Sequence, residues 1–346
     1  MPHWLVFFIL LFSHCATLKL RGERHEVITR DGWKLTLEHF PSSGPGKRFP
    51  VLLCHGLLAN RNYFKIKEEK SLAYLLAQAG YDVWLMDLRG RADAGSPSYF
   101  FGKFRYNYGI DEYIRHDADA AIAYVLEKTK SNKLNWIGHS LGGVVGYSRA
   151  GSYEDRRLHT LVTLGSPMRI APLDRSMQFL FRMQGAMVLL PAIPVSPLFK
   201  LGFWGPGFLQ KPFERVLIYL PNTDKETKEL LVFEVVTNIS KNEVYQFIDA
   251  VLHEAVVSSD KKINYRQDLR KISIPVLAIA ARRDHLADPL TVRDAFELLG
   301  SKDKFLFIAS KAEGLSEDYG HTDLLVGKKA HEEIFPKIIH FLDKFN

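Results

Sequence analysis

Short, continuous apolar runs alternate with amphipathic stretches along most of this 346-residue chain. Val51-Leu52-Leu53-Cys54 is one such run and residues 274–280 are another, while residues 81–86, 133–137 and 158–164 are largely apolar with one to three polar positions each. Each is too short for a buried helix and too apolar for a surface strand, so each reads as a strand covered on both faces. Between them, residues 113–128 set Ile114, Ala118, Ala121, Ile122 and Val125 at helical spacing. Helices are also expected over residues 69–79, after the turn at 138–142, from Pro289 onward and over 330–345, with a further strand over 304–308. Near the start, residues 26–30 and 33–40 read as two strands joined by Asp31-Gly32, a hairpin turn pair.

Strands alternating with helices predict an α/β fold, a mostly parallel central sheet with helices on both faces. Short joints in such a fold gather functional loops at the carboxyl ends of the strands. The alternation covers residues 24–169 and resumes over 266–346. In between, residues 170–265 show no convincing buried strand and read as an inserted helical cap or lid. From Arg175 to Phe213 the sequence has no Asp or Glu, and its only charges are Arg175, Arg182, Lys200 and Lys211. An apolar, proline-broken segment of this kind suits a lid over an apolar pocket, with contact to a membrane surface through the same face.

Composition narrows the class. An apolar content of 47% supports a large core and excludes a disordered chain. The formal charge is +7, yet no dense Lys/Arg block is present, so no nucleic-acid partner is expected. Two cysteines, Cys15 and Cys54, provide no disulfide framework and no cysteine-based zinc site. The run from Trp4 to Phe12 has the length of a signal h-region and is too short to span a bilayer. Residues 1–18 therefore read as a signal peptide, cleaved before Ala16, or as an N-terminal anchor. Cys15 as the lipid-bearing residue of a lipoprotein is the alternative. Either way the protein is expected to be exported: secreted, periplasmic or envelope-associated.

The chemistry concentrates at Gly138-His139-Ser140-Leu141-Gly142, a G-x-S-x-G between an expected strand and an expected helix. That context is what a nucleophile elbow requires: a serine on a sharp turn at a helix N-terminus. A serine hydroxyl needs a base, and the base needs an orienting acid. In this strand–helix arrangement both follow the serine, acid first. Asp284 lies just past the strand at 274–280, while Asp288 precedes a proline and suits a helix cap. His321, beside Gly320 after the last strand, is the candidate base. His331 and His340 fall on the final helix as surface or packing residues. The amide of Leu141, and that of Leu57 in the loop His55-Gly56-Leu57, are the candidate oxyanion donors. His55 reads as structural. Asp323 reads as a cap or a loop hydrogen-bonder. No H-E-x-x-H or other metal-ligand spacing stands out, and glycine-rich phosphate loops are absent.

With these motifs in this order, the chain resembles the α/β-hydrolase superfamily. The resemblance rests on His55-Gly56-Leu57, Asp87-Leu88-Arg89-Gly90, Gly138-His139-Ser140-Leu141-Gly142-Gly143, Leu164-Gly165-Ser166-Pro167, Arg283-Asp284 and Gly320-His321. Residues 29–35 and the pair His321-Thr322-Asp323 look most like the serine lipases and esterases, including the acid-lipase branch. Leu141 departs from that branch, where a glutamine is common. The resemblance implies a carboxylic ester hydrolase that acts on small-molecule or lipid-like acyl esters without a cofactor. An acyltransferase using the same triad, and a catalytically silent lipid-binding relative, remain alternatives. Acyl length, head group and oligomeric state are not legible.

Overall fold

The computed structural model describes residues 18–44, 49–95, 97–170, 191–204 and 219–346. The leader reading over residues 1–18, including Cys15 and the Ala16 cleavage position, falls outside them except for Leu18. So do residues 171–190 and 205–218 of the expected lid.

Ten strands are described: β1 Glu23–Ile28, β2 Lys34–Phe40, β3 Val51–Cys54, β4 Val83–Asp87, β5 Leu134–His139, β6 Leu158–Leu164, β7 Ala192–Ile193, β8 Ile239–Ser240, β9 Val276–Ala281 and β10 Lys304–Ala309. Eight of them form one sheet in the order β1-β2-β4-β3-β5-β6-β9-β10. β2 is antiparallel to both β1 and β4, and every other pairing is parallel. Alternate residues of each central strand feed opposite faces. Leu52, Cys54, Trp84, Met86 and Trp136 pack on one side, with the helices Ala118–Thr129 and Leu141–Gly151. Val51, Leu53, Val83, Leu85 and Ile137 pack on the other, with Leu72–Gln78 and Phe335–Phe345.

After β3 the chain crosses to β4 on one side, then returns to lay β5 on the other. The carboxyl ends of β3 and β5 therefore flank the point where the crossovers diverge, which is where open α/β sheets form their ligand crevice.

The structure departs from sequence expectation in four places. The first hairpin closes over a longer loop than Asp31-Gly32, because Thr29 takes the Trp33 amide on its side chain and bonds the Trp33 carbonyl through its own amide. The expected helix at 113–128 begins at Ile110 and widens into a π turn over Tyr113–Asp117. That turn places Asp117 under Arg89, which donates to it from both its amide and its Nε at 2.8 Å. The final helix breaks at Ile334, ahead of Pro336, whose ring cannot continue a helical ladder. Between β6 and β9, the pair β7 and β8 forms a separate two-stranded ladder.

That stretch is tied to the sheet by a buried ion pair. Arg91, in the loop after β4, meets Glu243 on the helix Lys241–Leu252, and both side chains are fully buried. Glu243 also caps its own helix by accepting the Ser240 amide at 2.7 Å. Arg91 further donates to Tyr113 Oη at 3.2 Å and to the Asn238 carbonyl. Removing one partner leaves the other charge buried and uncompensated. Glu243→Ala is expected to lower unfolding free energy by about 3–5 kcal/mol. Urea unfolding checks this, and a loss below ~1 kcal/mol contradicts it.

Candidate functional site

Ser140 caps the helix Leu141–Gly151 directly after β5, with φ 53° and ψ −121°. Few side chains adopt this region, and the cost is about 1–3 kcal/mol. The neighbouring glycines answer a different need, which is space. A Cβ on Gly138 would lie 2.3 Å from the Gly142 carbonyl oxygen, and one on Gly142 would lie 2.0 Å from the Cys54 carbonyl oxygen. Helix and strand ends approach each other so closely that only hydrogen fits. The Ser140 amide holds the turn by donating to Leu164 O at 2.8 Å.

Asp284 and His321 come together. His321 Nδ1 lies 2.7 Å from Asp284 Oδ2, and both residues are buried. Asp284 Oδ1 is occupied separately, accepting the amides of Leu286 at 2.9 Å and Ala287 at 2.7 Å. Two donors on one oxygen and an imidazole on the other fix the carboxylate plane. Asp288 instead caps the helix Pro289–Leu298 by accepting the Leu290 amide.

Gly165, at the end of β6, makes room for the pair. Its φ is +55°, and a Cβ there would lie 3.1 Å from Asp284 Oδ2 and 3.2 Å from His321 Nδ1. Since β6 runs between β5 and β9, the pair lies one strand from the Ser140 turn. His139 bridges the rest of the distance. Its ring centroid is 4.6 Å from that of His321, and its Nε2 is 3.0 Å from the His321 carbonyl oxygen. Burial holds the His139 pKa well below the usual histidine value, helped by the nearby His321. The ring is therefore neutral, and its Nε2 carries the proton donated to that carbonyl.

The candidate oxyanion donors flank the serine. Gly56 runs against Ser140, since a Cβ on it would lie 3.1 Å from Ser140 Cβ. Leu57 follows Gly56, and Leu141 opens the helix. Among the described residues, neither the Leu57 nor the Leu141 amide donates to a protein acceptor. His55 is buried and plays a structural part. The Leu88 amide donates to its Nε2 at 3.2 Å, so Nδ1 carries the proton toward Gly56 O at 2.9 Å. Burial pushes its pKa down to about 3, against that hydrogen bond.

The loop carrying His321 is held by residues that sequence reasoning passed over. Tyr63 donates to Thr322 O at 2.8 Å and packs its ring edge-on to His139. Asn222, between β7 and β8, donates to Asp323 Oδ2 at 2.8 Å, and the Gly320 amide donates to Asp323 Oδ1 at the same distance. Nothing in the local sequence around Tyr63 or Asn222 signals these contacts. Gly165 was visible as part of Gly165-Ser166-Pro167 at a strand end, but its role as a spacer was not.

Burial pushes the Asp323 carboxyl up to about 6, against the pull of its two donors. A raised acid binds its proton more readily folded than unfolded. Its ionised form therefore weakens the fold, and stability falls as pH rises from about 4 to the folded value. Asp323→Asn removes this titration. The variant is expected to gain on the order of 2 kcal/mol relative to wild type between pH 4 and 6.5. Urea midpoints at each pH provide the measurement, and parallel profiles contradict it.

Comparison with known proteins bears on both the fold and the motifs. A family model described as the alpha/beta hydrolase fold matches residues 50–200, and one described as a partial alpha/beta-hydrolase lipase region matches residues 13–68. A gastric triacylglycerol lipase of Bos taurus is 26% identical over 374 residues, covering 93% of this chain and 88% of the relative. The gastric triacylglycerol lipase of Homo sapiens is 37% identical over 135 residues, covering 36% of this chain and 34% of its own. Among solved structures, a soluble variant of monoglyceride lipase from Saccharomyces cerevisiae, bound to a substrate analog, superposes with TM-score 0.63 at 18% identity. It covers 96% of this chain and 99% of that one. A monoacylglycerol lipase from Paleococcus ferrophilus gives TM-score 0.62 at 19% identity, with 90% and 99% covered.

Proposed function

We infer the activity from one premise: the chain belongs to the α/β-hydrolase superfamily. It is a lipase or esterase, a serine hydrolase that cleaves carboxylic esters of lipid-like acyl substrates through an acyl-enzyme. The single observation that carries this reading is the 2.7 Å Asp284–His321 pair beside a serine on a positive-φ turn. The lipase names of the sequence relatives support the lipid-like substrate class.

In the proposed reaction, Ser140 Oγ attacks the acyl carbonyl while His321 Nε2 takes its proton. Asp284 fixes the imidazole with Nδ1 protonated and stabilises the imidazolium. The carbonyl oxygen becomes an oxyanion facing the amides of Leu57 and Leu141 at the helix N-terminus. As the tetrahedral adduct collapses, the ester C–O bond breaks and His321 returns the proton to the leaving alcohol. Water then attacks the acyl-serine, giving up its proton to His321, and the acid departs as Ser140 is regenerated. Binding and proton transfer are complete in the side chains and amides named, so the proposal requires no cofactor.

Export belongs to the same proposal, with residues 1–18 as leader and Cys15 as the alternative lipid-attachment point. Gastric lipases among the relatives support it. No helix among the described residues is long and apolar enough to cross a membrane. A panel of p-nitrophenyl and glycerol esters, graded in acyl length, tests the function. Hydrolysis of lipid-like esters in the panel is expected, with free acid as product. Acyl transfer to an added alcohol in place of acid would convert the assignment to an acyltransferase. No turnover of any ester would overturn it.

A further inference from the structure

Far from the Ser140 turn, the first hairpin assembles a donor set that no sequence spacing announces. Glu23 pairs with His39 across β1 and β2, and His25 is two residues along β1 from Glu23. Side chains two apart on a strand share a face, as do directly opposed residues. Glu23, His25 and His39 therefore project from one side of the hairpin, and one ligand atom from each lies within 4.8 Å of the others.

The two imidazoles are held as metal ligands usually are. A ligating histidine typically passes its other ring nitrogen to a carboxylate, carbonyl or hydroxyl, which fixes its tautomer. His39 Nε2 is engaged by Asp82 Oδ1. His25 Nδ1 lies 3.0 Å from Tyr124 Oη. The opposite nitrogen of His25, Nε2, is buried without a hydrogen-bond partner and lies 3.6 Å from Glu23 Oε1. Both rings rest on the Trp84 indole, His39 stacked at 4.1 Å and His25 at 4.9 Å, which restricts their rotation.

We propose that Glu23, His25 and His39 form a structural site for a divalent transition-metal ion of the zinc type, clamping the edge strand β1 to β2. Two imidazoles and one carboxylate suit a borderline-soft ion, with water completing a tetrahedron. Glu23 is exposed and free to swing the last distance inward. The carboxylates of Glu23 and Asp82 balance the charge of the ion. The absence of a sequence signal has a simple cause: hairpin register brings the ligands together, across a gap that no short motif spans.

Titration of the metal-free full-length chain with Co²⁺, followed by its visible absorption, and with Zn²⁺ by calorimetry, tests the site. One equivalent should bind, with a four-coordinate Co²⁺ spectrum and a raised unfolding temperature. His25→Ala and Glu23→Gln should each weaken binding at least ~10-fold, and Asp82→Asn about 10- to 100-fold. Metal-free ester hydrolysis should be unchanged in all three. Glu23→Gln keeps the test valid should a buried variant unfold, because its side chain is on the surface. Absence of saturable Co²⁺ uptake, or uptake unaffected by Glu23→Gln and His25→Ala, would overturn the proposal.

Discussion

Ser140→Ala lowers ester hydrolysis by about 10⁶-fold, the loss expected when a serine nucleophile is removed from an otherwise intact triad. The fold should not register the change. Alanine keeps the Cβ and the same φ of 53°, so the strained turn and the Leu164 O contact persist. Ser140→Gly separates chemistry from strain. It is equally inactive, but it relieves a backbone conformation costing about 1–3 kcal/mol. Part of that gain is offset by the greater freedom of glycine in the unfolded chain, about 0.5–1 kcal/mol. A net stabilisation on the order of 1 kcal/mol is expected for Ser140→Gly and none for Ser140→Ala. Initial rates on a preferred ester and urea midpoints measure the two effects. A Ser140→Ala variant with more than a hundredth of wild-type activity would contradict the first.

The second large effect is Asp284→Asn, expected to lower kcat/KM by about 10⁴-fold with little change in fold. The direction follows from the hydrogen bonds. Leu286 and Ala287 both donate to Oδ1, so the asparagine oxygen must take that position. Its NH₂ then faces His321 Nδ1, where the carboxylate Oδ2 stood. Nδ1 must become the acceptor, and the imidazole proton moves to Nε2. A protonated Nε2 cannot take the serine proton. Asp288→Asn, which alters only a helix cap, should leave the rate nearly unchanged. A loss of comparable size in both variants would show that Asp284 has no special part.

Sheet and motif were legible for the same reason: each is a local signal. Val51-Leu52-Leu53-Cys54 reads as a buried strand because its alternate residues enter two separate clusters, so every position must be apolar. Ser140 stands out because strand and helix ends touch through glycine, where even a methyl would collide. Asp284 and His321 were found from chain order and strand ends, and they lie within hydrogen-bond distance. What was not legible depended on chain-distant partners. Pro336 was in plain view, yet the break at Ile334 was missed because hydrophobic periodicity runs straight through it. The β7–β8 ladder, two residues a side, is too short for any periodicity. Tyr63, Asn222 and the hairpin cluster of Glu23, His25 and His39 acquire meaning only through tertiary register.

The central claim is that one serine, at the turn after β5, becomes acylated. Incubation with a fluorophosphonate, followed by peptide mass mapping, tests this most directly. The wild-type chain should take up one equivalent, located on Ser140, with Ser140→Ala taking up none and Asp284→Asn labelling far more slowly. An unlabelled wild-type chain, or a label on any residue other than Ser140, would contradict the account.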